Sequence, residues 1–363
     1  MFLANFKNDL SRPPIPQQQG LEWLARQHGF RSDIEEDKLI KMLNRFGCGP
    51  SQIGQRRTWL PEFMQPPMPG LFLKPEGREQ PNMQQRAEVY QKQISLAVEN
   101  LYGKVDQAPD HLLHVSCTGY VSPSVAQKLV LQNKWNTVVQ HLYHMGCYAA
   151  IPALRTAHGL IATEPQAKVD ILHTEFCTLH MNLQSTNPEQ LVVQSLFADA
   201  CIHYQATQLA PSDGPSLQLL ATHEILIPES SEDMTWGLDN FGFAMTLSRE
   251  VPHKIGQHLK SFLDHLFKKA NLPISQISNL TAAVHPGGPK IIDAVKTILE
   301  FKEEQVATSR KILFENGNMS SATVPFIWKD VLENAETIQN PYVLSLAFGP
   351  GLTIAGSLLC LNR

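Results

Sequence analysis

The chain of 363 residues has no CxxC pair, no long basic run and no apolar run approaching the length of a membrane span. Each absence excludes a class of function. Charged residues make up 18% of the chain and the formal net charge is −4, so nothing predicts a phosphate-tracking groove, and nucleic acid is not an expected partner. The segment MFLANFKNDLSRPPIPQQQG opens on a short apolar start broken by Asn5, Lys7 and Asp9. It lacks the apolar centre of a signal peptide, and with no membrane span further on, the expected location is cytoplasmic. Cysteine is scarce: Cys48, Cys117, Cys147, Cys177, Cys201 and Cys360 are scattered along the chain. With 43% hydrophobic residues, a chain this long buries a core without disulfide staples, so all six are expected as thiols. The nearest approach to a metal cluster is HTEFCTLH, with His173, Cys177 and His180 spaced by four and three. It follows AKVDIL at the end of an expected buried strand, where alternate residues face opposite ways, and no metal site is expected there.

What the chain does have is alternation of helix and strand patterns. Residues 1–105 read as mainly helical, with GLEWLARQHGF and MQQRAEVYQKQISLAVENLYG separated by the proline-rich loop LPEFMQPPMPGLFLKPEG. From residue 111 strands and helices alternate: HLLHVSC, a helix from about Ser124, NTVVQHLY, a helix from Cys147, VDILHTEF, a short helix, then SLFADACIHYQ. The loop LAPSDGPS marks a boundary. Beyond it come QLLATHEILI, FGFAMTL, a helix from Val251, NLTAAVHP, helices from Pro289, near 303–314 and from Ser320, and the strands YVLSLAF and LTIAGSLLCL. Two α/β halves of similar order, 1–210 and 211–363, predict a layered α/β fold with an internal duplication.

Three short stretches carry chemistry. In YHMGCYAAIPALRTAHG, Cys147 follows Gly146 where a strand gives way to a helix. A thiol in a first helical turn meets unpaired N–H groups and the positive end of the helix dipole, which predicts a lowered pKa; the competing reading is a small buried cysteine filling space. In AAVHPGGPKII, His285 ends an apolar strand before a turn that no side chain crowds, and in FENGNMSSATVPF, Asn318 sits in a tight turn before small residues including Ser320. Cysteine, histidine and asparagine admit two readings. In thiol proteases the asparagine orients the histidine; in carbon–carbon condensing enzymes histidine and asparagine point N–H donors at a thioester oxygen and stabilise an enolate.

The stretches GCYAAIPALRTA, AAVHPGGPKIIDAV, RKILFENGNMSSATVPFI and LAFGPGLTIAGSLL resemble, in order and spacing, the cysteine, histidine, asparagine and glycine-loop motifs of type III polyketide synthases, the chalcone synthase-like branch of the thiolase superfamily. Weaker matches in CGPSQIGQRRTWL, VSCTGYVSPS, HTEFCTLH, SLFADA and GFAMTLSREVP extend the resemblance from about residue 20 to the last. The resemblance implies a homodimer of duplicated αβαβα halves that uses acyl-CoA and malonyl-CoA, with no metal or redox cofactor. It implies that Cys147 accepts the acyl group, that His285 holds it as a thiolate and donates to the thioester oxygen, and that Asn318 completes the oxyanion hole. Gly349, Pro350 and Gly351 match the loop that shapes the cyclisation cavity.

Departures from the family pattern bear on the product. Of the two gating phenylalanines one is kept as Phe197 and the other is Met245, a flexible side chain that predicts a more permissive gate. Threonine positions of the cavity appear as Cys177 and His180, with Met181 beside them, and the methionine that reaches into the partner subunit's cavity appears as Ser122. The basic CoA entrance is reduced to Arg56 and Arg57, with Arg249 and Arg310 as further candidate phosphate contacts, so an acyl carrier protein stays open as donor. Three functions fit: decarboxylative extension of an acyl starter with malonyl units and closure to a pyrone or resorcinol ring; non-decarboxylative joining of two β-ketoacyl thioesters to an α-pyrone; and a catalytically silent acyl-binding subunit.

Overall fold

The computed structural model describes residues 1–32, 34–63, 70–72, 79–103 and 107–363. Of the proline-rich loop expected between the first helices, residues 64–69 and 73–77 lie outside them.

Five layers stack as αβαβα, and the strand sequences explain why. Strands His111–Ser116, Val169–Phe176 and Tyr342–Gly349 are buried on both faces, so helices cover both. Alternate residues enter different cores: Leu113 and Val115 face the central core whereas Leu112 faces the amino-terminal one, and Val343 and Ala347 face the central core whereas Leu344 and Leu346 face the carboxy-terminal one. The central core holds two helices, Ala150–Thr163 and Thr323–Glu333, packed between the two halves of the main sheet through Ile151, Leu154, Ile327 and the fully buried Trp328. Helix Met83–Tyr102 covers one outer face, and helices Val251–Lys269, Pro289–Ile298 and Glu303–Asn316 cover the other.

The duplication is visible in the strand order. Among the described residues the main sheet has nine strands, running Thr281–Val284, Tyr342–Gly349, Thr353–Asn362, Ser216–Leu226, Phe2–Asn8, Asp199–Thr207, Val169–Phe176, His111–Ser116 and Val138–Tyr143. In each half a parallel pair is followed by an antiparallel strand: His111–Ser116 with Val169–Phe176 and then Asp199–Thr207, and Thr281–Val284 with Tyr342–Gly349 and then Thr353–Asn362. The segment between the members of each parallel pair ends in a central-layer helix.

One expectation is corrected here. Residues 2–8, included in a mainly helical region, form a strand that pairs with Asp199–Thr207 and, through Phe2 and Leu3, with Ser216–Leu226. It joins the two halves, with Leu3 fully buried.

Candidate active site

Cys147 and Ser320 each lie in a short 3-10 turn leading into a central-layer helix: Gly146–Tyr148 before Ala150–Thr163, and Ser320–Ala322 before Thr323–Glu333. The two turns meet, and Cys147 Sγ stands 3.9 Å from Ser320 Oγ. Asn318 is fixed from both sides. Its backbone bridges to the segment at Phe197, with Asn318 N donating to Leu196 O at 3.0 Å and Ala198 N donating to Asn318 O at 2.8 Å. Its side-chain oxygen accepts the Ser320 N–H at 2.9 Å, which leaves the amide NH₂ as the donor available to a ligand.

Gly146 is required by what packs against it. It has φ +79, and a β-carbon there would stand 2.6 Å from Pro350 Cδ. The Gly349-Pro350-Gly351 loop therefore rests on the turn that carries Cys147.

The turn carrying Cys147, with Ser320 and Pro350, borders a largely apolar cavity. Of the residues named from the sequence, Cys147, Cys177, His180, Met181, Phe197, Met245, Ser320 and Pro350 line it. Gly349 and Gly351 do not line it and act through the packing of Pro350. Ser122 is exposed and is not among the lining residues of its own chain's cavity. The HTEFCTLH stretch divides because the strand ends at Phe176: Cys177 and His180, in the 3-10 turn Cys177–His180, face the cavity, whereas His173, still in the strand, points to Ser321 and Tyr204 in the core.

Sequence reasoning missed one wall. Strand Met234–Asp239 pairs with Gly242–Leu247 as a hairpin over the cavity and contributes Met234 and Trp236 beside Phe243 and Met245. Trp236 Nε1 donates to Cys117 O at 2.8 Å, and His180 clamps the hairpin by accepting the Phe243 N–H at Nδ1 and donating from Nε2 to Thr118 O. The alternating MTWGLD pattern with a central tryptophan was the available signal. Cys117 is the other omission; its sulfur accepts the Gly146 N–H at 3.0 Å, behind the Cys147 turn.

The electrostatics differ from the expectation of a lowered thiol pKa. Burial pushes Cys147 up to about 12, outweighing the Ser320 and Asn318 side chains and the backbone N–H that favour the thiolate. His285 closes the strand Thr281–Val284, its N–H bonded to Leu346 O at 2.7 Å. It is 1% exposed, neither ring nitrogen has a partner, and burial pushes it down to about 3. Burial thus favours the neutral form of each group, so a thiolate–imidazolium pair has to be stabilised by other contacts. His285 and Asn318 also stand behind the residues that line the cavity.

The four arginines separate. Arg56 is buried: it donates to Gln17 Oε1, Gln194 O and Phe197 O at 2.7, 2.9 and 2.5 Å, and its stem packs 2.9 Å from where a β-carbon on Gly317 would stand. That corrects its reading as a phosphate contact, because the side chain is buried and its Nε and Nη1 donors are spent on partners that support the Asn318 turn. Arg310 is held by Asp293 and Glu303, so its charge is already paired. Arg57 bonds Asn316 Oδ1 at 2.9 Å and keeps Nε unpartnered. Arg249 is exposed.

Residues 218–361 match the family model of the chalcone and stilbene synthases, C-terminal domain. The chain is 29% identical over 295 residues to type III polyketide synthase C of Arabidopsis thaliana, covering 77% of this chain and 76% of that one. It is 27% identical over 362 residues to type III polyketide synthase A of the same plant, covering 95% and 89%. Its fold matches the crystal structure of PKS-I from the brown alga Ectocarpus siliculosus with a TM-score of 0.86 at 23% identity, covering 99% of this chain and 97% of that one. Over most of its length the chain is similar to type III polyketide synthases, and it has their thiolase-like fold. Among the described residues no helix is long and apolar enough to cross a membrane.

Proposed function

We propose that the protein loads an acyl group from a CoA thioester onto Cys147 and extends it with malonyl units by decarboxylative Claisen condensation, closing the chain to a pyrone or resorcinol ring. The observation that carries the reading is the meeting of two helix starts beside the cavity, one bearing the Cys147 thiol on a tight glycine turn and the other preceded by Asn318 and Ser320. A buried imidazole without a partner is expensive, and His285 has two unpartnered nitrogens; a thioester oxygen is a fitting acceptor for one of them.

Loading transfers the Cys147 proton to His285. Each neutral group is favoured by burial, and the charged pair becomes accessible only when both charges form together. The thiolate attacks the acyl carbonyl and CoA leaves as its thiol. Malonyl thioester then breaks its bond to the carboxylate, CO₂ departs, and the electron pair moves to the enolate oxygen facing the donors of His285 and Asn318. The enolate carbon attacks the acyl carbonyl on Cys147, which leaves as thiolate. The new carbon–carbon bond takes its electrons from the bond to CO₂, so the chemistry asks for no metal or redox cofactor. The family resemblance supports a homodimer in which Ser122 approaches the partner's cavity, and a cytoplasmic enzyme.

Incubation with ¹⁴C-malonyl-CoA and a panel of acyl-CoA and acyl-carrier-protein thioesters, with products resolved by mass spectrometry, tests the reading. One CO₂ should be released per malonyl unit incorporated. A product built from two β-ketoacyl thioesters without a malonyl requirement would replace it with the non-decarboxylative reaction, and an acyl-protein that never turns over would point to a binding subunit. Met245→Phe should select against bulky starters, since excess volume in a packed pocket costs roughly 1 to 3 kcal/mol.

A further inference from the structure

Behind the cavity wall runs a row of hydrogen-bonded side chains that this chemistry leaves unused. Glu175, on the buried strand Val169–Phe176, receives the Cys117 N–H at 3.1 Å and the Thr118 hydroxyl at 3.0 Å on one carboxylate oxygen, and the Ser321 hydroxyl on the other. Ser321 Oγ lies 3.0 Å from His173 Nδ1, and His173 Nε2 lies 3.3 Å from the Tyr204 hydroxyl. Donor counting fixes the direction. An ionised carboxylate only accepts, so the Ser321 hydrogen is committed to Glu175; Ser321 Oγ then accepts from His173 Nδ1–H, and Nε2 accepts the Tyr204 hydrogen.

All of these side chains are buried, and among the described residues no arginine or lysine bonds the carboxylate. A buried carboxylate without a cation is costly. Burial pushes Glu175 up to about 7, against the Ser321, Cys117 and Thr118 donors. The titratable groups it faces are Cys117, Cys147 and Cys177 around the cavity, Tyr90 on the covering helix, and His173 and Tyr204 along the row; Asp199, on the neighbouring strand, is bonded to Thr178 and Trp59. Two of the carboxylate's partners lead to the Cys147 turn: Ser321 follows Ser320, whose Oγ stands 3.9 Å from Cys147 Sγ, and Cys117, whose N–H Glu175 accepts, takes the Gly146 N–H on its sulfur at 3.0 Å. A negative charge on Glu175 so close to that turn disfavours a thiolate there.

We infer that Glu175 sets the reactivity of Cys147 through its charge, with Ser321 and His173 as positioning residues that hold the carboxyl group, so that the thiolate forms readily when Glu175 is protonated and is opposed when it is ionised. The inference rests on Cys147 being the reactive thiol. No bond other than to protons changes: the proton retained on Glu175 removes a negative charge from the neighbourhood of the one forming on sulfur. The two sites titrate as a coupled pair.

Alkylation of the full chain by iodoacetamide, read at the Cys147 peptide by mass spectrometry across pH, tests this without requiring turnover. In Glu175→Gln the apparent midpoint should fall by about one unit, roughly tenfold in rate below the midpoint. An unchanged or higher midpoint overturns the inference. In His173→Phe the infrared band of the protonated carboxylic acid should persist to higher pH than in the unaltered protein; an unmoved band overturns the positioning role. Should the Gln variant fail to fold, the unaltered protein decides: log rate against pH should show a shoulder near neutral pH as Glu175 ionises, and a single straight limb counts against coupling. Failure of any acyl thioester to load Cys147, with the Glu175 dependence intact, would sink the proposed function and leave this inference standing.

Discussion

Cys147 Sγ and Ser320 Oγ stand 3.9 Å apart although 173 positions separate them in the chain. Each residue precedes a central-layer helix in its own half of the duplicated fold. The duplication thus brings two helix starts, and their unpaired N–H groups, to one point on the cavity. Developing negative charge on sulfur or on a thioester oxygen meets both. Burial still dominates the resting thiol, so partners that act during the reaction, rather than helix position alone, must make the thiolate accessible.

Gly146 tests how tightly that point is built. A β-carbon there meets Pro350 Cδ at 2.6 Å, and φ +79 is itself strained for other residues. Gly146→Ala should destabilise the protein by roughly 1 to 3 kcal/mol, seen as a lower urea midpoint, and should slow alkylation of Cys147 by displacing the turn. A variant with wild-type stability and alkylation rate would show that the Pro350 contact is slack.

Asn318 and His285 should separate two steps. Asn318→Ala removes one donor from the enolate oxygen, which typically costs about 3 kcal/mol, a hundredfold or more in decarboxylation. Acyl transfer to Cys147 should largely survive it. His285→Ala should impair both acyl loading and CO₂ release, because no other base is assigned to the thiol. Acyl-protein mass and CO₂ release, measured on the same preparations, check the split; full decarboxylation by Asn318→Ala would reassign the oxyanion donors.

Legibility in the sequence followed the strength of local pattern. Strands such as VDILHTEF and YVLSLAF are short runs bounded by turn residues, and the structure has them as Val169–Phe176 and Tyr342–Gly349, buried on both faces. The strand Phe2–Asn8 escaped because only Leu3 and Ala4 along it are buried while Asn5, Lys7 and Asn8 interrupt the apolar pattern. In the site, residues carried by glycine turns, Cys147, Asn318 and Pro350, were legible because the turn advertises the constraint. Trp236 and the Glu175 row were not, since their roles arise from partners distant in sequence: Cys117 O is 119 positions from Trp236, and Ser321 is 146 from Glu175. Arg56 misled for the same reason, its partners Gln194 and Phe197 lying 138 and 141 positions away.

Buried histidines and carboxylates should give the protein an uneven acid stability. Burial pushes His114, His173, His180 and His285 down to about 3 each from an ordinary 6.5. As pH falls below 6.5 the unfolded chain takes up protons that the native protein refuses, and stability declines. Asp170 and Asp199, raised to about 6, and Glu175, raised to about 7, act oppositely: the native protein binds their protons first, down to the ordinary values of 3.8 and 4.5. With His203, pushed down to about 4 by burial, five histidines face three carboxylates; the urea midpoint should therefore fall gently between about pH 6 and 4 and more steeply below, where the carboxylates no longer offset the histidines. Glu175→Gln removes one offset and should steepen the gentle part. A decline of uniform slope from pH 6.5 in the unaltered protein would contradict the balance.

The arginines offer the sharpest contrast because two neighbours in sequence are given unrelated roles. Arg56→Ala orphans two backbone carbonyls and Gln17 in a buried setting, and should lower stability by about 3 kcal/mol or more. Arg57, half-buried with Nε unpartnered, retains a charge that a CoA phosphate could use. Arg57→Ala should raise KM for acyl-CoA roughly tenfold, the worth of one charge-assisted hydrogen bond, with kcat little changed. The N-acetylcysteamine thioester of the same acyl group lacks the phosphates, so its KM should not move. Arg310 is already paired with Asp293 and Glu303, and Arg310→Ala should leave both KM values alone. Equal increases for the CoA and truncated thioesters in Arg57→Ala would mean a distorted cavity rather than a lost phosphate contact. No increase with either would move the CoA entrance away from Arg57, leaving the exposed Arg249 as the next position to vary.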